Sequence, residues 1–239
     1  MNPMIGIRAY LLLGAISAAM VSLSPAALIA HYDFGDGDLL DNEIGGSYTL
    51  TEVSSGLGDV TTAPDGSAQF TGLDSSNTGY LETNGPGAAN TFTVSFWFRT
   101  SDFDQGDRKG IFSNNVGGFT EQYSWQIDLI DSSIRTVSAS GVDIRFPTDG
   151  LSEDTWYHIV LTKEGTSPRS SMYVTPEGGA TVALVGTHSR SPGGLQMLRL
   201  GVNRSSNNMA QMNLANVKVY DDANVDLNTL LAEGPQTLP

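Results

Sequence analysis

Residues Thr91–Thr100 read T-F-T-V-S-F-W-F-R-T. Phe92, Val94, Phe96 and Phe98 alternate with Thr93, Ser95, Trp97 and Arg99. A period of two, carried by aromatic and β-branched side chains, marks a β-strand with one apolar face. Working outward, Trp156–Thr162 (WYHIVLT) repeats the pattern, with Tyr157, Ile159 and Leu161 on one face. Leu198–Val202 (LRLGV) and Met212–Tyr220 (MNLANVKVY) read as further strands. Shorter candidates lie at Leu28–Phe34, Tyr48–Thr51, Ala68–Thr71, Tyr80–Thr83, Lys109–Asn114, Ser124–Ile130, Arg135–Ser140, Asp143–Phe146, Ser171–Thr175 and Thr181–Val185. Turn-forming stretches separate them, among them Gly35–Gly37, Gly85–Gly87, Pro192–Gly194 and Asn203–Asn208. About a dozen strands so spaced predict an all-β, two-sheet antiparallel sandwich. Only Val225–Glu233 reads as a helix, short and C-terminal, with Asp226 as N-cap and Gly234 as stop.

The first residues read differently. Arg8 precedes the apolar run Ala9–Val21, and small residues fill Ser22–Ala27. That order is the pattern of a secretory signal peptide, cleaved after Ala26 or Ala27. The run is shorter than the ~20 residues a bilayer needs. The expected organisation is therefore a signal peptide at 1–26 and one domain at 27–239, secreted and without a membrane span. The chain carries 26 Asp+Glu against 12 Lys+Arg, a formal charge of −14. Removing residues 1–26, which hold Arg8 and no acid, moves it to about −15. Such acidity excludes nucleic acid as a partner, since phosphates need a basic face. It also disfavours anionic membrane surfaces. With no Cys, the chain has no disulfide, thiolate metal site or cysteine nucleophile.

Leu28–Asn42 (LIAHYDFGDGDLLDN) resembles the opening strand of laminin-G-like domains of the concanavalin A-like jelly-roll class, with Tyr32, Phe34, Asp41 and Gly45–Gly46 in the family's places. Phe92–Arg99 is similar to that family's F-T-V-S-x-W-x-R strand. Asp154–Thr162 (DTWYHIVLT), Leu198–Asn203 (LRLGVN) and Leu214–Tyr220 (LANVKVY) resemble its later strands, in family order. The resemblance implies a jelly roll of two antiparallel sheets of about six or seven strands each. It further implies a binding module for carbohydrate or a glycosylated surface or matrix component. The alternative is an adhesive module with a protein partner.

Three constellations are candidates for chemistry. Asp33, Asp36, Asp38 and Asp41 place four carboxylates around Gly35 and Gly37, hard oxygen donors suited to Ca²⁺. Related jelly rolls hold a structural Ca²⁺ here with an Asp of the closing strand. That position falls on Ala215, followed by Asn216, so the expected metal set is Asp36, Asp38, Asp41 and Asn216. Glucanases on this fold carry E-x-D-x-x-E on one strand, a spacing that falls here on Gln126–Asp131 (QIDLID). Gln126 cannot be a nucleophile and Asp131 is one methylene short, so the expectation is no enzyme and no catalytic residue. Aromatics beside polar groups suit stacking on sugar rings. The expected ligand-binding residues are Trp97, Tyr123 and Trp125, with Asn203, Arg204 and Asn207 as a polar rim. His158, inside a strand, reads as a packed residue, and His188 reads as a loop residue.

Overall fold

The side-chain alternation of Phe92–Arg99 builds the centre of a sandwich in the computed structural model, which describes residues 26–85, 91–114, 125–138, 143–165, 169–188 and 194–235. In chain order the strands are β1 (Leu28–Tyr32), β2 (Thr51–Ser54), β3 (Val60–Thr62), β4 (Ala68–Phe70), β5 (Gly79–Asn84), β6 (Phe92–Arg99), β7 (Lys109–Ser113) and β8 (Trp125–Leu129). They continue as β9 (Ser133–Ser138), β10 (Asp143–Pro147), β11 (Tyr157–Glu164), β12 (Arg169–Pro176), β13 (Leu184–His188), β14 (Met197–Leu200) and β15 (Met212–Tyr220), before the helix α1 (Leu227–Ala232). One sheet has the order β13-β12-β11-β6-β15-β4-β3, with β1 also pairing β15. The other has the order β10-β9-β8-β7-β14-β5-β2. All pairings between these strands are antiparallel. Residues 1–25, within the stretch expected to be a signal peptide, lie outside the described residues.

Phe92, Val94, Phe96 and Phe98 point between the sheets and are fully buried, each contributing about 1.5–3 kcal/mol. They meet Ile159 and Leu161 of β11 on their own sheet, and Trp125, Ile127 and Leu200 of the opposite sheet, in one cluster. Phe92 lies 5.7 Å from Trp125, and Phe96 lies 6.4 Å from Phe112.

The other face of β6 is buried too, which the half-exposed strand pattern did not anticipate. Trp97 packs with Trp156, Ala215 and Leu231 of α1. Asp226 caps α1 by accepting from the N–H groups of Asn228 and Thr229, as expected of an N-cap. Around it, Thr93 Oγ1 donates to the Asp222 carbonyl at 2.7 Å, Asn216 Nδ2 donates to the Gly234 carbonyl at 3.0 Å, and Lys218 pairs with Glu233. The C-terminal segment thus roofs the outer face of the eight-stranded sheet. Under it, His158 shares a hydrogen bond with Ser95 Oγ at 2.7 Å and stacks on Trp97. Burial pulls His158 down to about 4, so it is neutral at pH 7 and serves as a packed strand residue.

Three expectations are corrected. One sheet has eight strands rather than six or seven. Val60–Thr62 is a strand that turn-rich surroundings concealed, because its three residues are too few to show a period. His188 sits in β13, opposite Ser170 and buried, not in a loop.

Candidate functional site

Strand β8 sends Trp125, Ile127 and Leu129 into the core and Gln126 and Asp128 to the outer face of the seven-stranded sheet. An outward Gln and Asp ordinarily meet water, yet both are buried. The reason lies in two neighbours. Arg135, opposite Asp128 on β9, grips its carboxylate with Nε at 2.8 Å and Nη2 at 2.6 Å. The segment after β14 folds back over Gln126, whose Oε1 accepts the backbone N–H of Arg204 at 3.2 Å. Gln126 Nε2 in turn donates to Asp128. A continuous chain of bonds therefore runs from Arg135 through Asp128 and Gln126 to the backbone of Arg204. Burial raises the Asp128 carboxyl above the ordinary range, against the opposing pull of the Arg135 fork.

The stretch 203–208 is held from several sides. Asn203 Nδ2 donates to Asn207 Oδ1 at 2.8 Å, and Asn203 Oδ1 accepts the backbone N–H of Asn207 at 3.2 Å. The Asn203 N–H donates to the Asn208 carbonyl at 3.0 Å, closing the loop's neck. Arg199 of β14 donates to the Asn203 carbonyl at 3.3 Å and to Ser206 Oγ at 2.9 Å, while its Nε meets Glu82 at 3.1 Å and its guanidinium covers the Tyr80 ring. Gly110 of β7 lies against the same neck. A Cβ there would stand 1.9 Å from the Asn203 nitrogen. Gly110→Ala is expected to push the loop off Gln126 and to cost about 1–3 kcal/mol, as other overpacking does. A thermal melt checks this; an unchanged midpoint would show that the neck is not pressed on β7.

The result is a cavity of about 260 Å³ lined by Asp107, Arg108, Gln126, Asn203, Arg204, Ser205, Asn207 and Asn208. Arg108 adopts a positive φ of 58° and is half exposed beside Asp107, at 3.5 Å. Arg204 is 2% exposed. Burial, then the charges of Arg135 and Arg108, push the Arg204 guanidinium below its ordinary range, opposed by Asp128 and Asp143.

Three expected ligand-binding residues, Asn203, Arg204 and Asn207, are brought together here. Trp97 and Trp125 are not, which corrects their assignment as stacking platforms. Trp97 is closed in under α1, and Trp125 fills the core with its Nε1 donating to Thr136 Oγ1 at 2.6 Å. A ring face with no exposed area cannot stack on a sugar. Tyr123 lies outside the described residues. Gln126 and Arg108 belong to the pocket but were not expected in it. Gln126 was visible only as a failed catalytic position, and Arg108 carries no sequence signal. The glucanase-like spacing does not converge either. Asp128 is locked to Arg135, and Asp131 sits in a turn at φ 46°, paired with Arg145 at 3.2 Å. A second, larger and more open groove of about 480 Å³ lies on the eight-stranded sheet beside Asp65, Gln69, Arg99 and Asn213. Arg99 there meets Asp65 at 2.6 Å and lies over the Trp156 ring.

The acidic loop after β1 assembles a different donor set from the expected one. Carboxylate oxygens of Asp33, Asp36 and Glu43 lie within 4.8 Å of one another. Glu43 is brought back because its N–H donates to the His31 carbonyl at 2.9 Å. Asp38 and Asp41 lie outside that cluster; they accept the backbone N–H groups of Leu40 and Asn42, as Asp33 and Asp36 accept those of Gly35 and Asp38. The Asn216 oxygen is engaged by His31 Nε2 at 3.0 Å, at a bulge where Asn216 has φ 47°. Asp36 thus joins the clustered donors, while Asp38 and Asp41 lie outside them and the Asn216 amide is bonded to His31 and the Gly234 carbonyl. Glu43 lies above the ordinary carboxylate range, through desolvation and then Asp33, Asp36, Asp41 and Asp38. All-oxygen donors that repel one another fit a hard cation.

Two antiparallel sheets face to face, with a polar pocket built on one outer face, define a lectin- and glucanase-like sandwich. Residues 74–225 match the model of the Laminin_G_3 family, described as the concanavalin A-like lectin/glucanases superfamily, and the chain belongs to that family. No curated protein matches the sequence. Among solved structures, the chain is similar to domain 4 of a GH43 extracellular arabinanase from Geobacillus stearothermophilus, in complex with arabinotriose, at TM-score 0.60 and 16% identity over 89% of this chain and 100% of that one. It is also similar to the botulinum neurotoxin serotype D binding domain, at TM-score 0.63 and 12% identity over 87% of this chain and 52% of that one. A structure concerning botulinum neurotoxin type C matches at TM-score 0.57 and 12% identity, over 86% of this chain and 51% of that one. The chain spans about half the length of these neurotoxin chains, and at such identities the likeness is one of fold. Among the described residues, no helix is long and apolar enough to cross a membrane.

Proposed function

We propose that this chain is an exported, non-catalytic module that binds carbohydrate in the pocket formed by Gln126, Asn203, Arg204 and Asn207. The observation that carries the reading is the pocket itself. The buried amides of Gln126 and Asn203 line one small cavity and are held in place by a bonded network, the preorganisation a polar ligand needs. The acids of β8 and its turn are engaged with Arg135 and Arg145, which favours binding over hydrolysis. The family and the neighbours support the ligand class. One neighbour was solved with arabinotriose, and botulinum neurotoxin type C depends on two ganglioside molecules to enter cells. Export rests on the signal-peptide pattern of residues 1–26. The purified protein is expected to retain a subset of oligosaccharides on a broad glycan array, and Gly110→Ala to lose them. An array on which nothing is retained, with or without Ca²⁺, overturns the reading.

In the same reading the acidic loop takes Ca²⁺ through Asp33, Asp36 and Glu43, tying the loop to β1. At a hundredfold excess over its Kd, Ca²⁺ stabilises the fold by about 2.7 kcal/mol. That corresponds to a rise in melting midpoint of about 5–11 °C for a chain of this size. Melts in EDTA, Ca²⁺ and Mg²⁺ at matched ionic strength measure it; coincident midpoints would remove the metal.

A further inference from the structure

We infer that the outer face of the eight-stranded sheet carries a second, weaker carbohydrate site, a groove over β11, β12 and β13 in which Tyr173 and Leu184 lie under a neutral sugar ring. This site is separate from the pocket around Gln126 and does not depend on it.

Strand alternation builds the floor. Met172 and Val174 of β12, like Ile159 and Leu161 of β11, point into the core. Ser171, Tyr173, Val160 and Thr162 therefore turn to the outer face. Antiparallel register then sets the outward residues in rows. Thr162 stands opposite Ser171, and Ser171 opposite Thr187. One step along the strands, Val160 stands opposite Tyr173, and Tyr173 opposite Leu184. The first row presents hydroxyls and the second an apolar strip, about 7 Å away. Glu164 lies one step beyond the hydroxyl row, on the other side from the strip.

The segment after β15 adds a wall. Thr93 of β6, opposite Thr162, donates its hydroxyl to the Asp222 carbonyl at 2.7 Å, which fixes the chain above the sheet. Asn224 N–H and Nδ2 both donate to Asp222 Oδ1, at 2.9 and 3.1 Å. The Asn224 amide is thus held through its nitrogen, and its oxygen is left to accept. Between this wall and the rows lies a groove of about 450 Å³.

A sugar ring has a face of C–H groups and an edge of hydroxyls, and the groove offers a partner to each. The partly exposed Tyr173 ring and Leu184, 57% exposed, suit the face. Thr162, the Asn224 oxygen, and Ser171 and Thr187, whose hydroxyls share a hydrogen bond at 2.9 Å, suit the edge. A lone exposed leucine is ordinary on a protein surface. One set directly across from a tyrosine ring, beside a row of hydroxyls, makes a platform. The charge of −14 disfavours anionic glycans, so the ligand class is neutral. From the apolar strip to Glu164 the floor runs about 13 Å, which suits a short oligosaccharide lying along the strands. The pocket around Gln126 opens on the opposite sheet, so two sites on opposite faces let one module bridge two glycan chains. An open groove with a single aromatic is expected to bind at about millimolar Kd, too weakly to retain a glycan on an array by itself.

The test is a titration of the full chain, isotope-labelled and followed amide by amide by NMR, with neutral oligosaccharides of cellulose, xylan, arabinan and starch to about 10 mM. At least one is expected to give saturable shifts at Ser171, Tyr173, Leu184 and Thr187, and Gly110→Ala is expected to leave them unchanged. Tyr173→Ala is expected to weaken that binding at least about tenfold, and Tyr173→Phe, which keeps the ring, by less than about threefold. Should Tyr173→Ala fail to fold, Leu184→Ser at its exposed position is expected to weaken binding severalfold. Saturable shifts confined to the surroundings of Gln126 and Asn203, or binding in the groove that both Tyr173→Ala and Leu184→Ser leave intact, would overturn the inference while the pocket reading stands. Shifts in the groove from a protein that retains nothing on the array would leave the groove standing and remove the pocket. No saturable shift with any of these sugars overturns the groove.

Discussion

Asp128→Ala is expected to lower stability by about 3–5 kcal/mol, the usual consequence of breaking a buried ion pair by removing one partner. The carboxylate has no exposure and accepts two bonds from Arg135, whose own side chain is 5% exposed. Without Asp128, the guanidinium keeps, among the described residues, Asp143 at 3.3 Å, and much of the cost of desolvating it is no longer offset. For a chain of this size the melting midpoint should fall by about 6–20 °C. The loss should propagate further, because Gln126 loses the partner that aims it at the Arg204 backbone. Glycan affinity measured well below the new midpoint is therefore also expected to drop. The double replacement Asp128→Leu with Arg135→Met removes both charges and should recover most of the stability without recovering affinity. A midpoint within about 2 °C of wild type for the single variant would mean that the pair is solvated.

Trp125→Ala is expected to cost about 3–5 kcal/mol, as large-to-small core truncations do. The ring meets Phe92 and the edge of Phe112 at 6.0 Å, and its Nε1 donates to the buried Thr136 hydroxyl. Truncation leaves a cavity and an orphaned hydroxyl together. Trp125→Phe keeps most of the volume and should cost less than half as much. Denaturant melts with an unchanged slope measure both. The contrast with a ligand role is direct. A sugar platform would lose affinity while leaving the melt unchanged, whereas a core residue changes the melt first.

These two residues also show how far sequence reading reaches. Gln126–Asp131 reads as lacking the glucanase nucleophile because Gln126 is an amide. What Asp128 does instead was invisible, because its partner Arg135 lies on the next strand and nothing local distinguishes that arginine from any other. Trp125 stands next to polar residues in the sequence and so looked like a rim aromatic. Strand alternation alone says that it faces one side of the sheet, not which side is covered. Asn203, Arg204 and Asn207 were legible as a polar loop long enough to carry function, and they do line the cavity. Glu43 was counted among the acids but not as a partner of Asp33 and Asp36, since a backbone bond to His31 is what returns it to them.

By itself, the sequence determined the class of fold, the inward face of β6 and β11, the cap of α1 and the net charge of −14. Each of these follows from local rules: a period of two, a side chain accepting from the next turn's N–H groups, and a sum of charges. Only the tertiary structure decided that the outer face of β6 is roofed by α1, that β8 presents a locked Asp and a Gln rather than a catalytic pair, and that the 203–208 loop lands on Gln126. The bond that joins Gln126 to Arg204 spans 78 residues. Contacts of that reach are set by which sheets pack and in what register, and a one-residue shift would turn every side chain of β8 to the opposite face. For that reason the pocket belongs to the packing, although the strands that build it belong to the pattern.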